Sequence, residues 1–141
     1  MTLSKCILGL HVALLAVAAQ AGDIVVVVSA KNPPMVLGVE QVAHIFLAQS
    51  VRLPDGAEVA AIDQPIGSEL RDSFYRQVTG MSPTLVKAYW TKMVFTGRGR
   101  PPKVAPGSAA IRKLVADNPL LIGYIERDAL DDSVREVLTV N

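Results

Sequence analysis

Cysteine is almost absent from this chain of 141 residues, because Cys6 is the only one. If the first 21 residues are removed as a leader, no thiol remains, which excludes thiol nucleophiles, thiolate metal sites and a disulfide framework. Histidine is nearly as scarce, with only His11 and His44. A metal centre or a Ser-His-Asp arrangement at His44 would lack partners, so we interpret His44 as a solvated or boundary residue.

The chain also lacks an excess of charge of one sign. It has 14 basic and 13 acidic residues, and the two counts become equal once Lys5 leaves with the leader. A globally basic protein that binds nucleic acid is therefore disfavoured.

The adjacent Asp131 and Asp132 could be taken for a carboxylate pair, but neighbouring side chains point apart, as in a surface loop. With no nucleophile–base pair or metal-ligand set to assemble, we expect neither an enzyme nor a cofactor.

Residues 1–21 have the features of a secretory signal peptide. Lys5 provides the positive start, residues 6–19 are mostly apolar, and Ala19-Gln20-Ala21 has the small-residue cleavage pattern. An uncleaved membrane anchor is the alternative, but His11 interrupts the apolar run and no basic residue follows it. We therefore predict export to the periplasm and a mature domain over residues 22–141. Removal of 21 from 141 residues leaves 120, enough for one domain with its own core.

Strand and helix patterns alternate along residues 22–141. Ile24 to Val28 are five consecutive β-branched residues, which is typical of a strand buried on both faces. Apolar spacing and cap residues predict helices over 39–48, from Ser68 to Gly80, from Ser82 to Gly97 and over 108–117. Further strands are predicted over 58–62, 121–125 and 134–140. This order predicts an α/β fold in which one layer of sheet is covered by helices.

The third predicted helix has a wide apolar face. That face consists of Leu85, Val86, Tyr89, Trp90, Met93 and Val94. We expect it to be buried, with the two aromatic residues in the core. The basic segment Gly97 to Lys103 follows it and leaves two interpretations open. It is either a solvated loop or a contact for phosphate groups, an acidic partner or an anionic membrane surface.

Several short segments follow one another in an order that resembles a known family. They are Val25 to Ser29, Lys31-Asn-Pro33, Val42 to Leu47, Pro54-Asp-Gly56, Asp63 to Ser68, Phe74-Tyr75, Ala88-Tyr-Trp90, Phe95-Thr-Gly97 and Ile122-Gly-Tyr124. Together they resemble the second half of phosphate-binding substrate-binding proteins of ABC transporters, and the chain is similar to short PstS-like periplasmic proteins. The resemblance extends from about residue 23 to 138. It implies a single type II periplasmic-binding-protein lobe, with a mixed β-sheet covered by helices, where full-length relatives have two lobes.

The resemblance also implies a candidate anion site at the start of the second helix. Family members bind phosphate with a loop of the type Arg-x-x-Gly-Ser-Gly-Thr, and the matching segment here is residues 64–70. Gly67 and Ser68 match, Gln64 stands at the arginine position, and Glu69 and Leu70 replace the last pair. Gln64, Gly67, Ser68 and Arg71 are therefore the candidate ligand-binding residues. The alternative is an ordinary serine N-cap preceded by a flexible glycine.

Two functions remain open from the sequence. The first is an accessory or sensory component of phosphate or anion uptake, with weak or lost phosphate binding. The second is a periplasmic protein–protein interaction module without a small ligand. Expected partners are phosphate or another small anion and a transporter, a sensor or another periplasmic protein. No nucleic acid is expected, and a membrane would be reached only through partners.

Overall fold

The computed structural model describes residues 22–141, so the predicted signal peptide lies outside the described residues. One mixed five-stranded sheet forms the centre, and its strands lie in the order β3-β2-β4-β1-β5. The elements are β1 (Ile24–Ser29), α1 (Val39–Phe46), β2 (Ala60–Asp63), α2 (Glu69–Thr79), α3 (Pro83–Phe95), β3 (Lys103–Val104), α4 (Ser108–Asp117), β4 (Leu121–Glu126), a 3₁₀ turn (Arg127–Ala129) and β5 (Val134–Val140). This arrangement confirms the α/β fold predicted from the sequence.

Strand β1 runs antiparallel to both of its neighbours, β4 and β5. All six of its residues are buried, because side chains from both faces of the sheet enter a core. Val26 and Val28 face the side covered by α1, α2 and α3, whereas Val25 and Val27 face α4. The unbroken valine run therefore reflects helices on both faces of the sheet.

Helix α3 is less buried than its apolar pattern predicts. Val86 and Trp90 are its buried residues, while Leu85 and Val94 are about half exposed and Phe95 is 91% exposed. Tyr89 is half-buried and donates a hydrogen bond to the carbonyl oxygen of Leu47 at 2.6 Å. The expectation of a fully buried face is therefore wrong, because only one edge of the helix packs on the rest of the domain. Trp90 does lie in the core, as expected.

The helices within residues 22–141 are short relative to the thickness of a bilayer. None of these helices is long and apolar enough to cross a membrane.

Candidate functional site

The candidate site lies at the edge of the sheet where three parallel strands end. Strand β2 is parallel to both β3 and β4, so their carboxyl ends meet at the same edge. Helix α2 begins shortly after β2, and helix α4 begins shortly after β3. Two helix N-termini therefore follow the carboxyl ends of parallel strands, which is where open α/β sheets commonly bind ligands.

Asp63, the last residue of β2, is the centre of a buried hydrogen-bond network. One carboxylate oxygen accepts from Arg71 Nε at 3.1 Å and from the Tyr75 hydroxyl at 2.8 Å. The other accepts from the Tyr124 hydroxyl and from the backbone N–H of Gln64. Asp63 is 1% exposed and Arg71 is 8% exposed. This network connects β2, α2 and β4 directly beneath the candidate loop.

The two tyrosines of this network stay protonated. Burial, the nearby negative charge of Asp63 and the hydrogen bond to it raise the pKa of Tyr75 far above its ordinary value. The same causes also raise the pKa of Tyr124 above its ordinary value. Both phenols therefore remain neutral donors to Asp63, and neither is suited to act as a proton acceptor near neutral pH.

Gln64 is turned inward, away from the loop surface. Its side-chain amide donates to the Tyr124 carbonyl oxygen at 3.0 Å and to Ser108 Oγ at 3.2 Å. The residue is 3% exposed. Gln64 therefore attaches the loop to β4 and to the start of α4, and its side chain does not project beside Gly67.

Gly67 and Ser68 form the entrance to α2. Gly67 is exposed and has φ of +85°, a left-handed conformation that favours glycine. Ser68 is the N-cap, and its hydroxyl oxygen accepts a hydrogen bond from the backbone N–H of Arg71 at 3.3 Å. Glu69 and Asp72 add two carboxylates to the first turn of the helix. The positive end of the helix dipole is thus already partly compensated by the chain itself.

Arg71 combines a structural contact with a partly open charge. Its Nε is paired with Asp63, and its guanidinium group lies 4.9 Å from the centre of the Tyr75 ring. Within residues 22–141, no hydrogen bond uses its two terminal nitrogens. Gly67, Ser68 and Arg71 are therefore brought together at one helix end, whereas the Gln64 side chain belongs to the interior.

A groove of about 800 Å³ opens beside this helix end. Gly67, Arg71 and Asp72 lie on one side, and α3 forms much of the other side. Most of the lining surface is apolar. The lining residues are Ile66, Gly67, Arg71, Asp72, Pro83, Thr84, Lys87, Trp90, Thr91, Val94, Phe95 and Pro101. A second depression of about 490 Å³ lies next to it and shares Thr84, Lys87, Thr91 and Phe95. We call the two together the α3 groove.

The basic segment predicted as an irregular loop runs beside the α3 groove. Pro101 lines the groove, and a Cβ atom at Gly99 would lie 3.3 Å from Met93 Cε and 4.0 Å from Trp90. The segment therefore packs closely on α3, and it ends in the short strand β3 that the sequence did not predict. Its cationic residues, Arg98, Arg100 and Lys103, are exposed.

Charge is strongly segregated along the chain, although the total is near zero. Residues 73–116 contain eight basic residues and no acidic one, namely Arg76, Lys87, Lys92, Arg98, Arg100, Lys103, Arg112 and Lys113. The other residues of 22–141 contain all 13 acidic residues and five basic ones. The sequence interpretation missed this division because it compared only the total charge. A count in windows along the chain would have revealed it.

The other sequence candidates lie apart from this edge. His44 is exposed on α1. Hydrogen bonds from Ser133 and the nearby Arg112 lower the pKa of Asp131 below its ordinary value. Asp132 is exposed beside it. Across residues 22–141, no group of three or more histidine, cysteine, aspartate or glutamate side chains could hold a metal ion.

No protein-family model and no curated protein sequence matches the chain. Solved structures do match its fold. A protein described as a phosphate ABC transporter substrate-binding protein from Clostridium perfringens, solved with bound phosphate, is 23% identical with a TM-score of 0.65. An ABC-type phosphate transport receptor from Vibrio cholerae is 20% identical with a TM-score of 0.64. PstS from Borrelia burgdorferi is 12% identical with a TM-score of 0.59.

These matches cover most of this chain but about half of each solved protein. The shares are 83% of this chain and 45% of the Clostridium protein, 83% and 46% for the Vibrio protein, and 82% and 47% for the Borrelia protein. The described domain therefore has the fold of a PstS-like single lobe, as the sequence resemblance implied.

Proposed function

We propose that this chain is a non-enzymatic, exported single-lobe domain that serves as an accessory or sensory component in the uptake of phosphate or another small anion. Its own affinity for phosphate is weak. The observation that carries the proposal is that Gln64 and Arg71 contact buried groups of the domain itself, in a fold that resembles phosphate-binding proteins. The loop keeps the position of an anion site, while its polar side chains support the domain interior.

The proposed anion contacts are the backbone around Gly67, the hydroxyl of Ser68 and the terminal nitrogens of Arg71, with Gln64 holding the loop in place. The guanidinium group already has a carboxylate partner in Asp63. Glu69 adds a further negative charge at the same helix end. A helix N-terminus contributes on the order of 1 kcal/mol, whereas micromolar binding requires about 8 kcal/mol. We therefore expect a dissociation constant for phosphate of about 1 mM or weaker.

Calorimetric titration with inorganic phosphate tests this proposal. Glu69→Gln should strengthen phosphate binding by a few-fold, because it removes a repulsive charge from the first turn of α2. Glu40→Gln is the matched control, since Glu40 occupies the first turn of α1. Micromolar binding by the unmodified protein would contradict the weak-affinity proposal. An equal effect of the two substitutions would contradict the assignment of the site to α2.

Export is part of the same proposal. Cleavage after Ala21 would give a periplasmic protein that starts at Gly22. The intact mass of the protein recovered from a periplasmic extract measures this directly. Retention of residues 1–21 in that mass would contradict cleavage.

The α3 groove favours a second candidate function, a protein–protein interaction module. Phe95 and Ile66 line the groove and are 91% and 79% exposed. Large apolar side chains grouped at a concave surface are typical of interaction sites. This second function requires no small ligand, so it and the first can be tested separately.

A further inference from the structure

The α3 groove contains apolar side chains that the domain does not need for its own core. Phe95, Ile66 and Val94 all line it and are at least half exposed. Val86 and Trp90 of the same helix are buried in the core, and Trp90 also lines the groove. Helix α3 thus has one apolar side that holds the fold and another that is open to contact.

Two buried polar atoms at the groove also lack partners. Among residues 22–141, Asp72 Oδ1 and Trp90 Nε1 are the buried side-chain polar atoms without a hydrogen bond. Both residues line the groove, one from α2 and the other from α3. After small side-chain movements, a bound partner could therefore accept a hydrogen bond from Trp90 Nε1 and donate one to Asp72 Oδ1.

Exposed cations lie on α3 at the groove and on the segment that follows this helix. Lys87 lines both depressions and Lys92 lines the second, while Arg98 and Arg100 belong to the neighbouring segment. Within the described part of the chain, none of these four residues, nor Lys103, forms an ion pair. Asp72 also lines the groove, and Glu69 lies in the same turn of α2. The charged residues that α3 contributes to the groove, Lys87 and Lys92, are both cations.

We propose that the α3 groove docks a segment of a partner protein in which a stripe of apolar side chains is flanked by acidic residues. The inference rests on the interaction function proposed above and specifies its partner. Two joined depressions with Phe95 between them fit successive side chains of an amphipathic helix. Acidic residues beside that stripe would meet Lys87 and Lys92. A flat membrane surface fits a concave groove less well than a protruding helix does.

The test uses two designed 18-residue helical peptides and fluorescence anisotropy at low salt. One has leucine on one face and glutamate elsewhere, and the other has lysine in place of every glutamate. We expect the acidic peptide to bind at least 10-fold more tightly, with a preference that decreases as salt is added. Equal binding of the two peptides, or no binding of either, would overturn the inference.

Substitutions then locate the binding surface. Phe95→Ser should weaken binding of the acidic peptide at least 10-fold. The double substitution Lys87→Glu with Lys92→Glu should make the basic peptide the tighter binder. The controls are Val36→Ser and Lys31→Glu, which change an exposed apolar residue and an exposed cation outside the groove lining. Circular dichroism confirms that each variant is folded, and the lysine variant decides the test if the Phe95 variant is not. Equal loss in the controls would overturn the assignment.

Two further measurements distinguish other occupants. Sedimentation that shows a dimer lost in Phe95→Ser would assign the groove to a second copy of this chain and overturn the inference. Binding to vesicles containing anionic lipid that exceeds binding to the acidic peptide would assign it to a membrane and also overturn it. Phosphate titration of the same variants reports separately on the anion site, so failure of one proposal does not imply failure of the other.

Discussion

Asp63 Oδ2 lies 3.1 Å from Arg71 Nε, and both side chains are withdrawn from solvent. The pair joins the end of β2 to the first turns of α2. The hydroxyls of Tyr75 and Tyr124 and the backbone N–H of Gln64 also donate hydrogen bonds to the carboxylate. An ion pair buried in this way is costly to break on one side only, because the remaining charge has no partner.

Asp63→Asn should therefore lower the free energy of unfolding by about 3–5 kcal/mol. The control is Glu58→Gln, which breaks the exposed Arg52–Glu58 pair at 3.2 Å and should cost less than about 1 kcal/mol. Urea denaturation of both variants measures the difference. Equal losses would show that the Asp63 network does not stabilise the fold as its burial implies.

Stability should fall at alkaline pH because of Tyr75 and Tyr124. Their pKa values are raised in the folded state, so their contribution is complete below the ordinary tyrosine pKa of 10.0 and declines above it. Above that pH, each tyrosine should lower the free energy of unfolding by about 1.4 kcal/mol per pH unit. Tyr75→Phe should make the slope shallower by about one such increment. Val78→Ala, which removes buried apolar volume but no phenol, should leave the slope unchanged.

Gly123 should not tolerate a side chain. It lies in β4 beneath α4, and a Cβ atom there would come within 2.5 Å of Ile111 Cγ2. Since Ile111 is itself fully buried, Gly123→Ala should cost about 1–3 kcal/mol. Gly107→Ala is the control, because a Cβ atom there meets nothing within 4 Å. If Ile111→Ala is combined with Gly123→Ala, the total loss should be smaller than the sum of the single losses.

Phe95 and Phe46 should differ sharply in their effect on folding. Phe46 is fully buried against Phe74 and Tyr124, and Phe46→Ala should cost about 3–5 kcal/mol. Phe95→Ala should change the free energy of unfolding by less than about 0.5 kcal/mol, since that side chain is almost wholly exposed. Thermal and urea unfolding compare the two. A large loss at Phe95 would contradict its assignment as a contact residue that folding does not require.

The regular elements could be predicted because their signals are local. The valine run of β1, the Ser-Pro start of α3 and the glycine after α2 depend on neighbouring residues alone, and the structure confirms each. Helix α4 and strand β5 have the predicted bounds. Strand β2 begins two residues later than predicted, since Glu58 is used in an isolated bridge to Arg52.

The parts that could not be predicted depend on contacts between distant residues. The network around Asp63 could not be predicted, because nothing in the neighbouring sequence shows that Tyr124 will reach it from another strand. The inward direction of the Gln64 side chain could not be predicted for the same reason, since its partners Ser108 and Tyr124 are far along the chain. The burial of the apolar face of α3 could not be predicted either, because periodicity does not show whether a second layer exists to cover it.

The position of β1 has a consequence for the order in which the chain can fold. Both of its neighbours come from the far end of the sequence, since β4 starts at Leu121 and β5 at Val134. During synthesis, the five consecutive Ile and Val residues of β1 therefore have no partner strand until β4 and β5 have been made. The centre of the sheet therefore cannot form before β4 and β5 have been made, which is after all four helices of residues 22–141 in chain order.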